Sequence, residues 1–128
     1  MTHTPPGPTQ EKRLHRVGSA KKDYQAFPLD VQQDMGYALG LAPLGGKHPH
    51  AKPWKGQGSG VLELVEDHRG DAYRAVYTVR FAGVVYVLHA FQKKSKTGIK
   101  TPQDDVDLIG ERLKSAQQDF ERQRNRQS

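Results

Sequence analysis

The 128-residue chain has no cysteine. That excludes disulfide staples and thiolate-held metals, and it suits a reducing compartment. No apolar run approaches the ~20 residues that a membrane-spanning helix needs. The opening MTHTPPGPTQ also lacks the apolar stretch of a secretion signal, so a cytoplasmic protein without membrane contact is expected. Hydrophobic residues make up only 34% and aromatics 8%, with a mean hydropathy of −0.82, so a compact core must lie inside a very polar surface. There is no glycine-rich phosphate loop, Ser-His-Asp set, paired catalytic carboxylates or internal repeat, and no cofactor is expected. His48 and His50 have no third ligand at a fixed spacing, so no metal is expected either.

The chain does carry positive charge. Twenty Lys and Arg against 14 Asp and Glu give +6 and a pI near 9.7. In a small cysteine-free domain this favours a polyanionic partner, with nucleic acid the commonest. A membrane surface or an acidic protein would satisfy the same charge.

The most informative stretch is DAYRAVYTVRFAGVVYVLHAFQKKSK, from Asp71 to Lys96. Tyr73–Phe81 and Val84–Phe91 are rich in Val, Tyr and Phe and are separated only by Ala82-Gly83, which predicts a tight β-hairpin. With a two-residue turn, residue 79 faces 86, 77 faces 88 and 74 faces 91. One face then carries Tyr73, Ala75, Tyr77, Val79 and Phe81 opposite Val84, Tyr86, Leu88 and Ala90, an apolar core side. The other carries Arg74, Val76, Thr78 and Arg80 with Phe91, His89, Val87 and Val85, continued by Lys93. That second face is either a phosphate-binding surface or an ordinary solvated sheet face. If it is open, replacing Arg74 by Ala should leave the fold nearly intact.

Around the hairpin the chain divides simply. Residues 1–13 hold three of the eight prolines and read as a disordered arm. Leu14–Val17 alternates like an edge strand. Val31, Met35, Ala38, Leu39 and Ala42 form one helical face within Lys21–Ala42, with Pro28 at its start. His48–Gly60 is a loop by composition, in which Trp54 sits among Lys47, Lys52 and Lys55. Trp54 there is either a base-stacking platform between phosphate-binding lysines or a cap on the core. Val61–Glu66 is a strand joined to the hairpin by a turn at Asp67–Gly70, which would put Leu62 and Leu64 on the core side and Glu63 opposite Arg74. Lys93-Lys94-Ser95-Lys96 opens a basic loop, a phosphate-contact arm or a solvated segment. Thr101-Pro102 then starts a helix whose apolar stripe is Val106, Ile109, Leu113, Ala116 and Phe120. The domain is expected over 14–122, with a frayed basic tail over 123–128. The order predicts an α+β fold, a small twisted and mainly antiparallel sheet with helices on one face and the other left open.

From about Lys22 to Leu113, and most specifically in Tyr73-Arg74-Ala75-Val76-Tyr77 and His89-Ala90-Phe91-Gln92-Lys93-Lys94-Ser95, the chain resembles the RelE/HigB superfamily of toxins from type II toxin–antitoxin systems. It is closest to the phage-derived, HigB-like branch. The resemblance implies a RelE-like fold and a metal-independent endoribonuclease that cleaves mRNA on the ribosome, with a helix-turn-helix antitoxin as cognate partner. It assigns Arg74 to phosphate binding and Lys93 and Lys94 to the basic pair ending the last strand. His89 falls on the same face as a candidate acid or base, and Glu63 is either the base or the residue that orients Arg74. Lys52, Trp54, Lys55, Arg80, Phe91 and Lys96 are the expected RNA contacts. The chain departs from the RelE branch at Glu63 and Val65, where that branch has lysines, and it lacks a tyrosine beyond Tyr86. A non-catalytic nucleic-acid-binding protein, or an inactive phage-derived interaction protein, would need the same charges without the catalytic groups.

Overall fold

The computed structural model describes residues 13–41, 51–93 and 103–127. Along the chain run β1 (Arg13–Arg16), α1 (Ala20–Gln25), α2 (Leu29–Leu41), β2 (Ala51–Pro53), β3 (Val61–His68), β4 (Asp71–Thr78), β5 (Val84–Lys93) and α3 (Gln103–Gln127). The strands form one sheet in the order β1-β5-β4-β3-β2, antiparallel except where β1 runs parallel to β5. The fold is therefore α+β with a mainly antiparallel sheet, as expected. One short strand, β2, lies where the composition reads as loop.

The turn between β3 and β4 is tighter than expected. His68 pairs with Asp71, leaving only Arg69 and Gly70, both at positive φ (52° and 87°), the backbone of a two-residue type I′ turn. This shifts the register by two residues from the one drawn through a four-residue turn. A two-residue shift preserves the faces, so Leu64 still falls on the α1/α2 side, packed with Ala75 and Tyr77.

The β4–β5 pairing changes more. Near the strand ends the register is as expected, with Arg74 opposite Phe91 and Val76 opposite His89. Tyr77 then faces Val87 rather than Leu88, so Leu88 is an extra residue in β5, a β-bulge. Direct pairing stops at Thr78, and Val79–Gly83 forms a longer connection. Beyond the bulge the side chains of β5 exchange faces. Val85 and Val87 join Tyr77, Met35 and Leu39 on the α1/α2 side, while Val84, Tyr86 and Leu88 point the other way.

That other side is not left open. It is a second core, in which Ile109, Leu113 and Ala116 of α3 pack on Val61, Val76, Tyr86 and Leu88. Helices thus cover both faces, α1 and α2 on one and α3 on the other, which corrects the expectation of helices on one face only. The reason is that β5 carries apolar side chains on both sides; the bulge decides which, turning Tyr86 and Leu88 toward α3 and Val85 and Val87 toward α1 and α2. The helix also continues to Gln127, so the segment from residue 123 expected to fray stays helical. It is supported by the Arg122–Asp119 pair and by Arg124 lying over Phe120. Within this core the buried Tyr86 hydroxyl donates to Asp119 (2.7 Å). Desolvation and that bond raise the phenol well above its ordinary range, and the same bond holds the Asp119 carboxyl below its own.

Arg112 of α3 fastens the bulge. Its Nη1 donates to the Leu88 carbonyl (3.0 Å) and its Nη2 to Ser19 Oγ (2.7 Å). The guanidinium passes so close to Gly18 (φ 58°) that a Cβ there would lie 3.1 Å from Arg112 Nε. Arg112→Ala removes the donor from a carbonyl on a fully buried residue. It should lower stability by about 1–3 kcal/mol, read as a reduced urea midpoint, whereas Lys114→Ala on the exposed side of the same helix should change the midpoint little.

Candidate functional site

On the α3 side of the sheet, cross-strand rows set out the side chains. Lys52, Glu63, Val76 and His89 form one row, and Val65, Arg74 and Phe91 the next. Glu63 and Arg74 therefore stand diagonally across β3 and β4 rather than opposite each other, and they still meet. Arg74 Nη1 donates to Glu63 Oε2 at 2.5 Å. Glu63 is only 5% exposed, while 18% of the Arg74 side chain remains accessible. The carboxylate thus holds the guanidinium from beneath and leaves part of it facing outward, an arrangement suited to receiving a phosphate.

His89 occupies a different environment. It is 5% exposed, its Nε2 donates to Asp105 Oδ1 in the first turn of α3 (2.8 Å), and its ring stacks on Phe91 at 4.7 Å and 19°. Nδ1 is buried with no partner among the described residues. Both ring nitrogens are thus withdrawn from a substrate approaching from solvent. His89 joins the sheet to the helix, and it is poorly placed to exchange protons with RNA.

The other expected residues divide. Phe91 is half-buried beside Arg74, and Lys52 is exposed on β2 in the row of Glu63. Lys93 ends β5 opposite Ala72. Lys94 and Lys96 lie outside the described residues, as do His48 and His50. Lys55 is exposed in the β2–β3 loop. Trp54 is a core residue, 9% exposed and packed with Val61 and Ile109's cluster, so it is not available to stack a base. Arg80 is committed to the β2–β3 loop, donating to the Gln57 carbonyl (2.6 Å) and the Ser59 carbonyl (2.9 Å). Asp105 and Arg112 were not legible as site residues. Asp105 reads in the sequence only as an acidic residue suited to a helix start, and its partner lies 16 positions earlier with no spacing to signal it. No cluster of potential metal ligands occurs among the described residues.

Comparison with known proteins follows the same core. The family described as phage-derived protein Gp49-like (DUF891) matches residues 22–114. The structure is similar to that of a mutant E. coli toxin RelE in the free state, with 17% identity, TM-score 0.51, and coverage of 62% of this chain and 81% of that one. It is also similar to a chain of the toxin–antitoxin complex RelBE2 from Mycobacterium tuberculosis, with 18% identity, TM-score 0.43, and coverage of 65% and 99%. No curated protein sequence matches.

The ion pair overturns the expectation that Arg74→Ala leaves the fold nearly intact. Removing Arg74 strands a carboxylate that is 5% exposed, and breaking such a pair should cost about 3 kcal/mol. Glu63→Gln/Arg74→Gln replaces the charges by neutral amides and should recover most of that loss. Urea denaturation of Arg74→Ala checks the cost, and Arg74→Gln, Glu63→Gln and the double variant form the cycle, with strong non-additivity as the expected result.

Proposed function

This chain belongs to the Gp49-like family of phage-derived proteins, and we propose that it is the toxin of a type II toxin–antitoxin pair, an endoribonuclease acting on messenger RNA held in the ribosome. The observation that carries this reading is the Arg74 guanidinium, oriented by Glu63 and partly open beside the half-buried Phe91. The RelE-like fold and the resemblance in the central hairpin support it.

The reaction is attack of a ribose 2′-hydroxyl on the adjacent phosphate, giving a 2′,3′-cyclic phosphate and a free 5′-hydroxyl. Charge builds on the phosphorane, where Arg74 offers fixed positive charge and paired donors. Lys93 and Lys94, ending β5 and opening the basic segment after it, supply further positive charge and a proton for the leaving 5′-oxygen, while water takes the proton of the attacking 2′-hydroxyl. Glu63 orients Arg74; its burial and its bond make it a poor base. Lys52 and Phe91 hold neighbouring nucleotides. Ribosomal alignment of the 2′-hydroxyl with the phosphate supplies the positioning that a shallow face does not. A basic face of this kind would be held in check in the cytoplasm by a DNA-binding, helix-turn-helix antitoxin.

A second reading rests on a specific observation. Glu63 and His89, the two groups suited to proton transfer, are each 5% exposed and bonded, as in a protein that binds RNA without cutting it.

Induction in bacteria without a partner separates these. The toxin reading expects rapid arrest of growth and translation, with new mRNA ends bearing 5′-hydroxyls, and expects Glu63→Gln/Arg74→Gln to grow normally at equal soluble yield. Arrest without new ends favours the binding protein. Normal growth of cells carrying the soluble wild type rules out the toxin and leaves the binding protein or an inactive interaction protein.

A further inference from the structure

The contact between α3 and the sheet at His89 bears on how the site is shaped. Phe91 is the cross-strand neighbour of Arg74, and its ring lies nearly parallel to His89 at 4.7 Å. His89 in turn is fixed by a single polar contact among the described residues, the bond from Nε2 to Asp105 Oδ1. The connected groups are therefore Asp105, His89, Phe91 and Arg74, running from the first turn of α3 to the centre of the candidate site. We propose that Asp105 is a positioning residue for RNA, acting through His89 to hold the Phe91 ring as a flat platform beside the Arg74 guanidinium.

Three features carry this. Asp105 is separated from His89 by 16 residues and by a change from strand to helix, so the bond is a tertiary contact rather than a local by-product of helix capping. The carboxylate is 28% exposed and the imidazole 6%, so the bond lies at the edge of the packed core, where the helix stops covering the sheet. His89 is also unsuited to direct proton transfer, which leaves orientation as the role its surroundings serve. Base stacking on an aromatic face is sequence-tolerant, and it depends on the ring being presented to the base. A Phe91 ring released from its stack would still be apolar, but its face would no longer be fixed beside the phosphate site.

The inference rests on the proposed RNA-cleaving function, and its test keeps the two apart. Wild type, Asp105→Ala and Asp105→Asn are compared for binding to a short RNA made uncleavable by a 2′-deoxy substitution, and for cleavage on the ribosome. The asparagine Oδ1 can still accept from His89 Nε2, so Asp105→Asn should behave nearly as wild type. Asp105→Ala should weaken RNA binding and raise KM about tenfold with a much smaller change in kcat. The Phe91 and His89 ring resonances should move in Asp105→Ala and return in Asp105→Asn, a response that a loss of stability alone would not produce in the folded fraction. Wild-type affinity and KM in folded Asp105→Ala would overturn the positioning role while leaving the proposed function standing. RNA binding by wild type without cleavage would overturn the nuclease reading alone, and the affinity comparison would still decide the role of Asp105. A wild type that neither binds this RNA nor cleaves on the ribosome would overturn both.

Discussion

One extra residue in β5 determines much of this architecture. With Leu88 bulged out of the β4–β5 ladder, Val84, Tyr86 and Leu88 face α3 while Val85 and Val87 face α1 and α2, so each helical layer meets apolar side chains of β5. Burying a second face on α3 adds the Ile109–Leu113–Ala116 stripe to the core of a chain with only 34% hydrophobic residues. The bulge leaves the Leu88 carbonyl to find a partner outside the ladder, and Arg112 of α3 provides it. Bulge and helix therefore stabilise each other.

The same geometry limits the chemistry. Because α3 lies on the face that carries Arg74 and His89, the candidate site is reduced to what extends past the first turn of the helix. Groups that look available in a flat drawing of the hairpin are occupied: His89 by Asp105, Glu63 by Arg74, Arg80 by the loop carbonyls, and Trp54 by the core. Positive charge, an aromatic ring and an oriented guanidinium remain. Such a set suits phosphate binding and transition-state charge stabilisation better than proton transfer, and it fits a protein that relies on its target to supply alignment.

Local periodicity made the elements legible. The Val31–Met35–Leu39 face of α2, the stripe of α3 and the strong β propensity of the hairpin all occur as expected. The β3 faces survived an incorrect turn because an error of two residues does not change which side a strand residue faces. The β5 faces did not survive, because a bulge is an error of one, and no residue in Val87-Leu88-His89 marks it. What fastens it is a tertiary contact, the Arg112 bond to the Leu88 carbonyl, which no local pattern signals. The Glu63–Arg74 pair was legible as a contact across two strands only because diagonal and direct pairs are both within reach of long side chains. Asp105 was not legible, since nothing in the sequence says where the start of α3 will land.

The claim at the centre of this account is that RNA is received at the end of the α3-facing sheet surface, past the first turn of α3. Mapping backbone amide and side-chain NMR shifts during titration with an uncleavable RNA tests that most directly. The account predicts the largest changes at Lys52, Val65, Arg74, Phe91 and Lys93, with Tyr37 on α2 and Arg124 near the end of α3 little affected. Changes concentrated on α2, or along the last turns of α3, would contradict it.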